Sequence, residues 1–420
     1  MGDTGRSAVA DAHYARAAKE GERTGAPGRA QAQGSAQAPD RRPLPISKPS
    51  LGEPEAEAAA RAVLSGWVTQ GPEVSAFEAD FAEYVGASHA CAVSSCTTAL
   101  HMALHALGIG PGDEVITVSH SFIATANAVR YCGANPIFVD VDPRTFNIDP
   151  NRIEEAIGAR TRALLVVHQM GMPCDLARIL PIAAQHGIPV VEDAACAIGS
   201  EIRTGDGWER IGRPLGAVAC FSFHPRKVLT TGDGGMLTTR DPELDRKFRL
   251  LRQHGMSVTD RERHLAGRVI FEEYPVVGFN YRLTDIQAAV GRVQLRRLPE
   301  LLARRREIAE RYTRELQAVR GLEPPFVPSW ARPNYQSYPV RVTAAFPLTR
   351  DESMQRLLDL GISTRRGIMN AHQERAYSDL QPLSLPHSES SRDSVILLPL
   401  FHDMTDADVD RVLSALIDRQ

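Results

Sequence analysis

The sequence predicts an α/β fold: a large domain with a mostly parallel central sheet flanked by helices, then a smaller α+β C-terminal domain. Three observations predict it. Short, nearly continuous apolar runs alternate with stretches of helical spacing between residues 53 and 239. Strands buried on both faces read this way, and intervening helices make such a sheet parallel. After about residue 240 the pattern changes to amphipathic helices and a few short strands. The length of 420 residues exceeds one small domain, and 43% hydrophobic with 24% charged residues supply a sizeable core.

Residues 1 to about 45 are rich in Ala, Gly, Arg and Gln and nearly free of large apolar side chains. Such a segment cannot offset its ordering entropy by burial and reads as a disordered tail. Order is expected from about Pro43. Glu53–Leu64 (EPEAEAAARAVL) reads as a helix closed by Ser65-Gly66, and Thr97–Leu107 as a second helix. The strand runs are Ala90–Val93, Glu114–Val118, Pro136–Val141, Ala163–Val167, Ile188–Val191, Ala217–Phe223 and Gly235–Thr239, with a helix at Leu176–His186. Pro242–His254 and Thr284–Leu298 are amphipathic helices, and Pro299–Val319 is a separate charged helix that bridges to the second domain. There follow a strand (Tyr338–Val342), a helix (Asp351–Leu360), strands Ile362–Thr364 and Val395–Leu398, and a closing helix, Asp406–Ile417. The expected domains are thus 46–298 and 299–420. The Arg304–Arg306 run reads as a solvated helix face.

A formal net charge of −3 gives no reason to expect nucleic acid or an anionic membrane as partner. None of the six cysteines forms a CxxC or metal-type spacing, so a reduced, cytoplasmic setting without a protein-bound metal is the reading. No apolar run approaches the roughly 20 residues that span a bilayer.

Lysine usage singles out one residue. Of 48 basic residues only Lys19, Lys48, Lys227 and Lys247 are lysines. Lys227 follows a buried-looking strand and precedes a Gly-rich turn, TTGDGG. A primary amine can lose its proton and attack a carbonyl, whereas a guanidinium stays charged. A pyridoxal phosphate (PLP) site needs such a lysine and a partner for the pyridine nitrogen. Asp193, at the end of IPVVED, can be that partner or an ordinary helix N-cap. Ser94-Ser95-Cys96-Thr97-Thr98 opens a helix after an apolar strand; it is either an anion cradle or plain N-capping. Ser222 can add a hydroxyl donor. Phe122 can cover one face of a flat ring, or belong to the core.

These segments resemble the DegT/StrS-type sugar aminotransferases of the fold-type I PLP-dependent enzymes. The resemblance rests on GWVTQGPEVSAFE (66–78), VSSCTTAL (93–100), GPGDEVITVSHSFIAT (110–125) and FVDVDPRTFNID (138–149). It continues in VEDAACAIGS (191–200), FSFHPRKVLTTGDGG (221–235), LRQHGM (251–256), GFNYRLTDIQAAVGRVQLRRL (278–298) and, more weakly, RRGIMNAHQERAY (365–377). It implies Lys227 as the Schiff-base lysine and proton shuttle and Asp193 as partner of the pyridine nitrogen. It also implies Thr97 with the Cys96 backbone, and Ser222, at the phosphate, and Phe122 on the ring. Asn280 matches an asparagine that reaches the phosphate of a neighbouring subunit, which implies a homodimer with shared sites. Two positions depart from the pattern: Cys96 stands where many relatives have Gly, and Cys196 where many have a Gln facing the ring. The implied reaction is transamination from glutamate to a 3- or 4-keto group of a nucleotide-linked deoxysugar. A keto-cyclitol acceptor and a PLP-bound regulator without turnover are the alternatives. The fold's dehydratases carry His in place of the lysine. Arg365, Arg366 and His372 are candidate substrate contacts, or surface charge. His224 and Arg226 line the site or pack around it.

Overall fold

Seven strands form the central sheet in the computed structural model, which describes residues 42–205 and 207–417. Most of the expected N-terminal tail lies outside the described residues. The strands are β1 (His89–Val93), β2 (Glu114–Val118), β3 (Asn135–Val139), β4 (Thr161–Val167), β5 (Val190–Asp193), β8 (Val218–Ser222) and β9 (Gly235–Thr239). Their order is β1-β9-β8-β5-β4-β2-β3. Pairing is parallel from β8 to β3 and antiparallel on both sides of β9. β9 therefore runs against the other six, and the sheet is mostly parallel, as expected.

Alternation along the strands shows why both faces are covered. In β4, Leu164 and Val166 enter one core while Ala163 and Leu165 enter the other. In β8, Ala219 and Phe221 face the first core and Val218 and Cys220 the second. Helices α1 (Glu53–Leu64), α2 (Pro72–Val85), α3 (Cys96–Ala106), α4 (Ala124–Tyr131), α5 (Leu176–Gln185) and α6 (Pro242–Leu251) flank this region. α2 and α5 supply Phe77, Phe81, Leu176 and Ile179 to the first core. α3, α4 and α6 supply Leu100, Met102, Val129 and Phe248 to the second.

One helix, α7 (Asp285–Leu316), joins two cores. Leu295, Leu298, Leu301 and Leu302 pack under the central sheet, and Ile308, Ala309, Tyr312 and Leu316 pack with β12 (Tyr338–Val342) and β14 (Val395–Leu398). The sequence reading split this helix at Pro299. A proline inside a helix costs roughly 3 kcal/mol. Burying each leucine on either side contributes about 1.5–3 kcal/mol, so packing carries the helix through.

The C-terminal sheet has the order β10-β12-β14-β13, with β10 at Leu322–Glu323 and β13 at Arg365–Arg366. Helices α8 (Arg350–Asp359) and α9 (Asp406–Ile417) accompany it. The expected strand at Ile362–Thr364 is not one: Ile362 makes a single parallel bridge to Leu44, and the two arginines after it pair with β14 instead. A three-stranded sheet of β6 (Glu201–Thr204), β7 (Gly207–Arg210) and β11 (Ala331–Arg332) was not expected at all.

The Arg304–Arg306 run is also a correction. Arg305 is buried, donating to the carbonyls of Tyr335 (3.1 Å) and Gln336 (2.8 Å). Arg306 donates to the Gly199 and Pro333 carbonyls, and Arg304 to the Met404 carbonyl. The run clamps three loops to the helix instead of facing water.

Candidate active site

β1, β5 and β8 run the same way, so their C-terminal ends share one edge of the sheet, and antiparallel β9 begins there. In open α/β sheets ligands bind outside this edge. Asp193 is the last residue of β5, Ser222 ends β8, and the Ser94–Cys96 turn follows β1.

Asp193 is buried. Its Oδ2 accepts from the Thr125 hydroxyl at 2.8 Å and its Oδ1 from the Ala195 amide at 3.1 Å. Ser121 lies 2.8 Å from the Thr125 hydroxyl and extends the chain. Burial raises the Asp193 pKa above the ordinary value, and the Thr125 and Ala195 hydrogen bonds hold it back. Glu192, one residue earlier, projects from the other face. It pairs with buried His168 at 3.1 Å, and the Cys174 N–H donates to His168 Nδ1, so the Nε2 proton faces Glu192. The two acidic residues thus divide: one braces the core and one faces the site edge.

Lys227 lies on the loop between β8 and β9, and its Nζ donates to Cys196 Sγ at 3.1 Å. Burial works against the ammonium, but Cys196, Cys96 and Asp193 outweigh it and hold the Lys227 pKa above the ordinary lysine value. Asp193 and the Cys96 and Cys196 thiols are thus the groups that act on this amine.

The phosphate-type turn is built as a helix start. Ser95 caps α3 by accepting from the Thr98 amide at 3.2 Å. The first-turn amides of a helix have no intrahelical acceptor, so those of Cys96 and Thr97 point outward from α3. The Cys96 thiol turns the other way, to the Cys220 carbonyl at 3.6 Å, and burial pushes its pKa well above the ordinary value. A side chain larger than glycine is accommodated because it lies under the sheet while the backbone stays open. Gly235 abuts this turn: a Cβ there would sit 2.5 Å from the Ser95 carbonyl group. Only glycine lets β9, and with it the Lys227 loop, come this close. Ser222 pairs with Gly235 across the two strands, which puts its hydroxyl beside the turn.

The remaining candidates are placed differently. Phe122 is 63% exposed on the loop between β2 and α4, three residues before Thr125. Asn280 is exposed, while its neighbours Phe279 and Tyr281 stack 4.8 Å apart against His101. Among the described residues no hydrogen bond ties Asn280 to Lys227, Asp193 or the α3 turn of its own chain. Arg365 and Arg366 are exposed neighbours on β13, where successive side chains leave the strand on opposite faces. His372 is not a free donor: Nδ1 is 2.6 Å from Ser119 Oγ, Nε2 is 3.3 Å from Glu389, and the side chain is 7% exposed. His224 Nδ1 accepts from the Arg226 amide and stabilises the lysine loop from within.

Sequence reasoning missed Thr125, Asn334 and Gln336. Thr125 lies in a quoted motif four residues after Ser121, a helical spacing that could have flagged it. Asn334 and Gln336 gave no local signal.

The donor set fits pyridoxal phosphate: an amine, a buried carboxylate and an open helix start meet at one sheet edge. The model of the DegT/DnrJ/EryC1/StrS aminotransferase family matches residues 49–417. The chain belongs to this family. The aminotransferase is 40% identical to TlmJ from Streptoalloteichus hindustanus, with a TM-score of 0.81 over 89% of this chain and 98% of that one. DesV of S. venezuelae, solved with a ketimine intermediate, is 35% identical, with a TM-score of 0.80 over 89% and 97%. Helicobacter pylori PseC, an aminotransferase in pseudoaminic acid biosynthesis, is 27% identical, with a TM-score of 0.81 over 89% and 98%. The protein is thus a PLP-dependent aminotransferase of a sugar-aminotransferase family, with the fold of those enzymes. Among the described residues no helix of this aminotransferase is long and apolar enough to cross a membrane.

Proposed function

We propose that this enzyme transfers an amino group from glutamate to a 3- or 4-keto group of a nucleotide-linked deoxysugar, in the cytoplasm, giving an amino sugar. The observation that carries the site assignment is the meeting of Lys227, Asp193 and the α3 start at the C-terminal strand edge. The likeness to PseC, an aminotransferase of pseudoaminic acid biosynthesis, favours a sugar acceptor.

In this reading Lys227 holds the cofactor covalently, and the Cys96 and Thr97 amides with Ser222 hold its phosphate. Phe122 covers its ring, with Cys196 beside the amine. Bound PLP supplies an electron sink for the substrate carbon. The Asp193 carboxylate keeps a proton on the pyridine nitrogen, and Thr125 orients that carboxylate. With PLP bound, Lys227 Nζ would be the base that takes the proton from the substrate carbon and the acid that returns it. Asn280 serves the phosphate of a second copy in a homodimer. The segment before it supports this: Val269, Phe271 and Val277 are 81%, 86% and 87% exposed, an apolar surface that a second copy covers.

The test has two parts. Borohydride reduction of the PLP-loaded enzyme should fix label on Lys227, and Lys227→Ala should lose both label and transamination. A panel of keto-sugar nucleotides and scyllo-inosose-type keto-cyclitols, with glutamate, should yield amino product only from the nucleotide-linked sugars. Amination of the cyclitol alone overturns the acceptor class, and label on another lysine overturns the site.

A further inference from the structure

We infer that Gln336 is a positioning residue for Lys227 and that Asn334 plays the same part for the Cys196 loop. The inference rests on the proposed role of Lys227.

Lys227 sits on a loop between β8 and β9, where no strand ladder fixes its backbone. The side-chain amide of Gln336 supplies the missing ladder. Its Nε2 donates to the Arg226 carbonyl at 2.6 Å, and its Oε1 accepts from the Val228 amide at 3.0 Å. One planar amide thus grips the peptide groups on both sides of Lys227, as a neighbouring strand would. Those two contacts restrict the backbone rotations that aim the lysine side chain.

Gln336 is itself held. Its amide donates to Asn334 Oδ1 at 2.8 Å and its carbonyl accepts from buried Arg305 at 2.8 Å. Asn334 is fully buried, and its Nδ2 donates to the Cys196 and Ile198 carbonyls at 2.9 and 2.8 Å. Its backbone amide donates to Ser200 Oγ at 3.0 Å. The connection from β11 to β12 therefore reaches both loops whose side chains meet at the Lys227 Nζ–Cys196 Sγ contact. Arg305 and Arg306 fasten that connection to α7. The arrangement sets where the amine lies relative to Cys196 and Asp193 through contacts to the backbone of their loops. A small displacement of a reacting group is enough to cost about 100-fold in rate.

The test uses full-length, PLP-loaded enzyme and two variants. Gln336→Met keeps the reach and removes both polar atoms; Gln336→Glu keeps the acceptor for Val228 and loses the donor to Arg226. For Gln336→Met we expect kcat to fall about 10- to 100-fold with the glutamate KM within about threefold. The pH midpoint of the cofactor's visible absorbance should shift, and hydrogen exchange at Val228 should speed up at least about tenfold. Gln336→Glu should fall between Met and wild type on all three readouts. A lowered Tm with unchanged kcat and midpoint, in either variant, overturns the inference; if Gln336→Met does not fold, Gln336→Glu decides alone. Absence of borohydride label on Lys227 in the wild type overturns the lysine assignment instead, and leaves the exchange readout at Val228 to judge the grip itself.

Discussion

Thr125 illustrates how a residue without reactivity of its own can govern the site. It is the side-chain donor to Asp193, and both groups are buried. Thr125→Val keeps the shape and removes that hydrogen bond. Burial already raises the Asp193 pKa; without the threonine hydroxyl it should rise further, because nothing replaces the lost stabilisation of the charged form. A hydrogen bond to a charged group contributes about 1.5–3 kcal/mol. The acid limb of kcat/KM should therefore move to higher pH, and PLP affinity should fall about tenfold or more. An acid limb that stays in place in the variant counts against Asp193 as the pyridine partner. At this scale the placement of Lys227 and Asp193 at the strand edge was legible, because Asp193 ends an apolar run and Lys227 follows one. Thr125 was missed: SHSFIAT offers three hydroxyls, and the four-residue spacing of Ser121 and Thr125 pairs those two without naming the carboxylate they meet. Gln336 was invisible: it lies 108 residues from Val228, and only the tertiary fold brings them together. Arg365 and Arg366 looked like a pair in sequence, but strand geometry separates adjacent side chains.

Helices with an apolar stripe and strands that are nearly continuous apolar runs buried on both faces were readable to the residue. Helices Glu53–Leu64 and Asp406–Ile417 and strands Glu114–Val118, Gly235–Thr239, Tyr338–Val342 and Val395–Leu398 occur where the sequence put them. The misses have physical causes. β6 and β7 read EIRT and GWER, too polar to signal a strand, and β11 joins them from far along the chain. α7 was divided because a proline was weighed against propensity and not against the leucines packed around it. α2 went unassigned because its start is fixed from elsewhere. Asp285, in the first turn of α7, accepts from the amides of Gly71, Glu73 and Val74 at 2.7, 3.1 and 2.9 Å. This carboxylate caps α2 in place of a local N-cap side chain. Asp285→Ala leaves those amides without their acceptor and should destabilise the protein by about 2–4 kcal/mol. The midpoint of urea unfolding should drop with an unchanged slope. A loss under about 0.5 kcal/mol, the size of an ordinary surface change, would show that α2 does not depend on this cap.

For the whole molecule, acid is the condition that loosens the joint between the strand edge and the C-terminal part. His120, just past β2, is buried, and its Nδ1 contacts Asn370 Oδ1 at 2.9 Å. Its backbone bridges to Asn370 and its carbonyl accepts from Gln169. Burial drives the His120 pKa down from 6.5 to about 4, with nearby Arg341 adding to the effect while Asn370 and Asp140 oppose it. The unfolded chain therefore takes up a proton near pH 6.5 that the folded chain refuses until about pH 4. The stability tied to this imidazole is complete above the unfolded value and drains away as pH falls between the two. A fall of that size corresponds to roughly 3 kcal/mol for a fully buried group. Glu78 and Asp140 act lower on the scale. Burial works against their charge, but Arg252 and Arg249 around Glu78, and the Ser388 and His387 hydrogen bonds to Asp140, hold both pKa values below the ordinary carboxylate range. Their share is lost only as pH falls through those lowered values, beneath the histidine window. Two ranges of acid should thus be separable in cofactor-free protein. His120→Gln, which has no imidazole to protonate, should flatten the dependence of unfolding free energy on pH between about 6.5 and 4. It should leave the steeper loss at lower pH, where the carboxylates titrate. A variant whose stability declines as steeply as wild type across the upper window would assign that decline to groups other than His120.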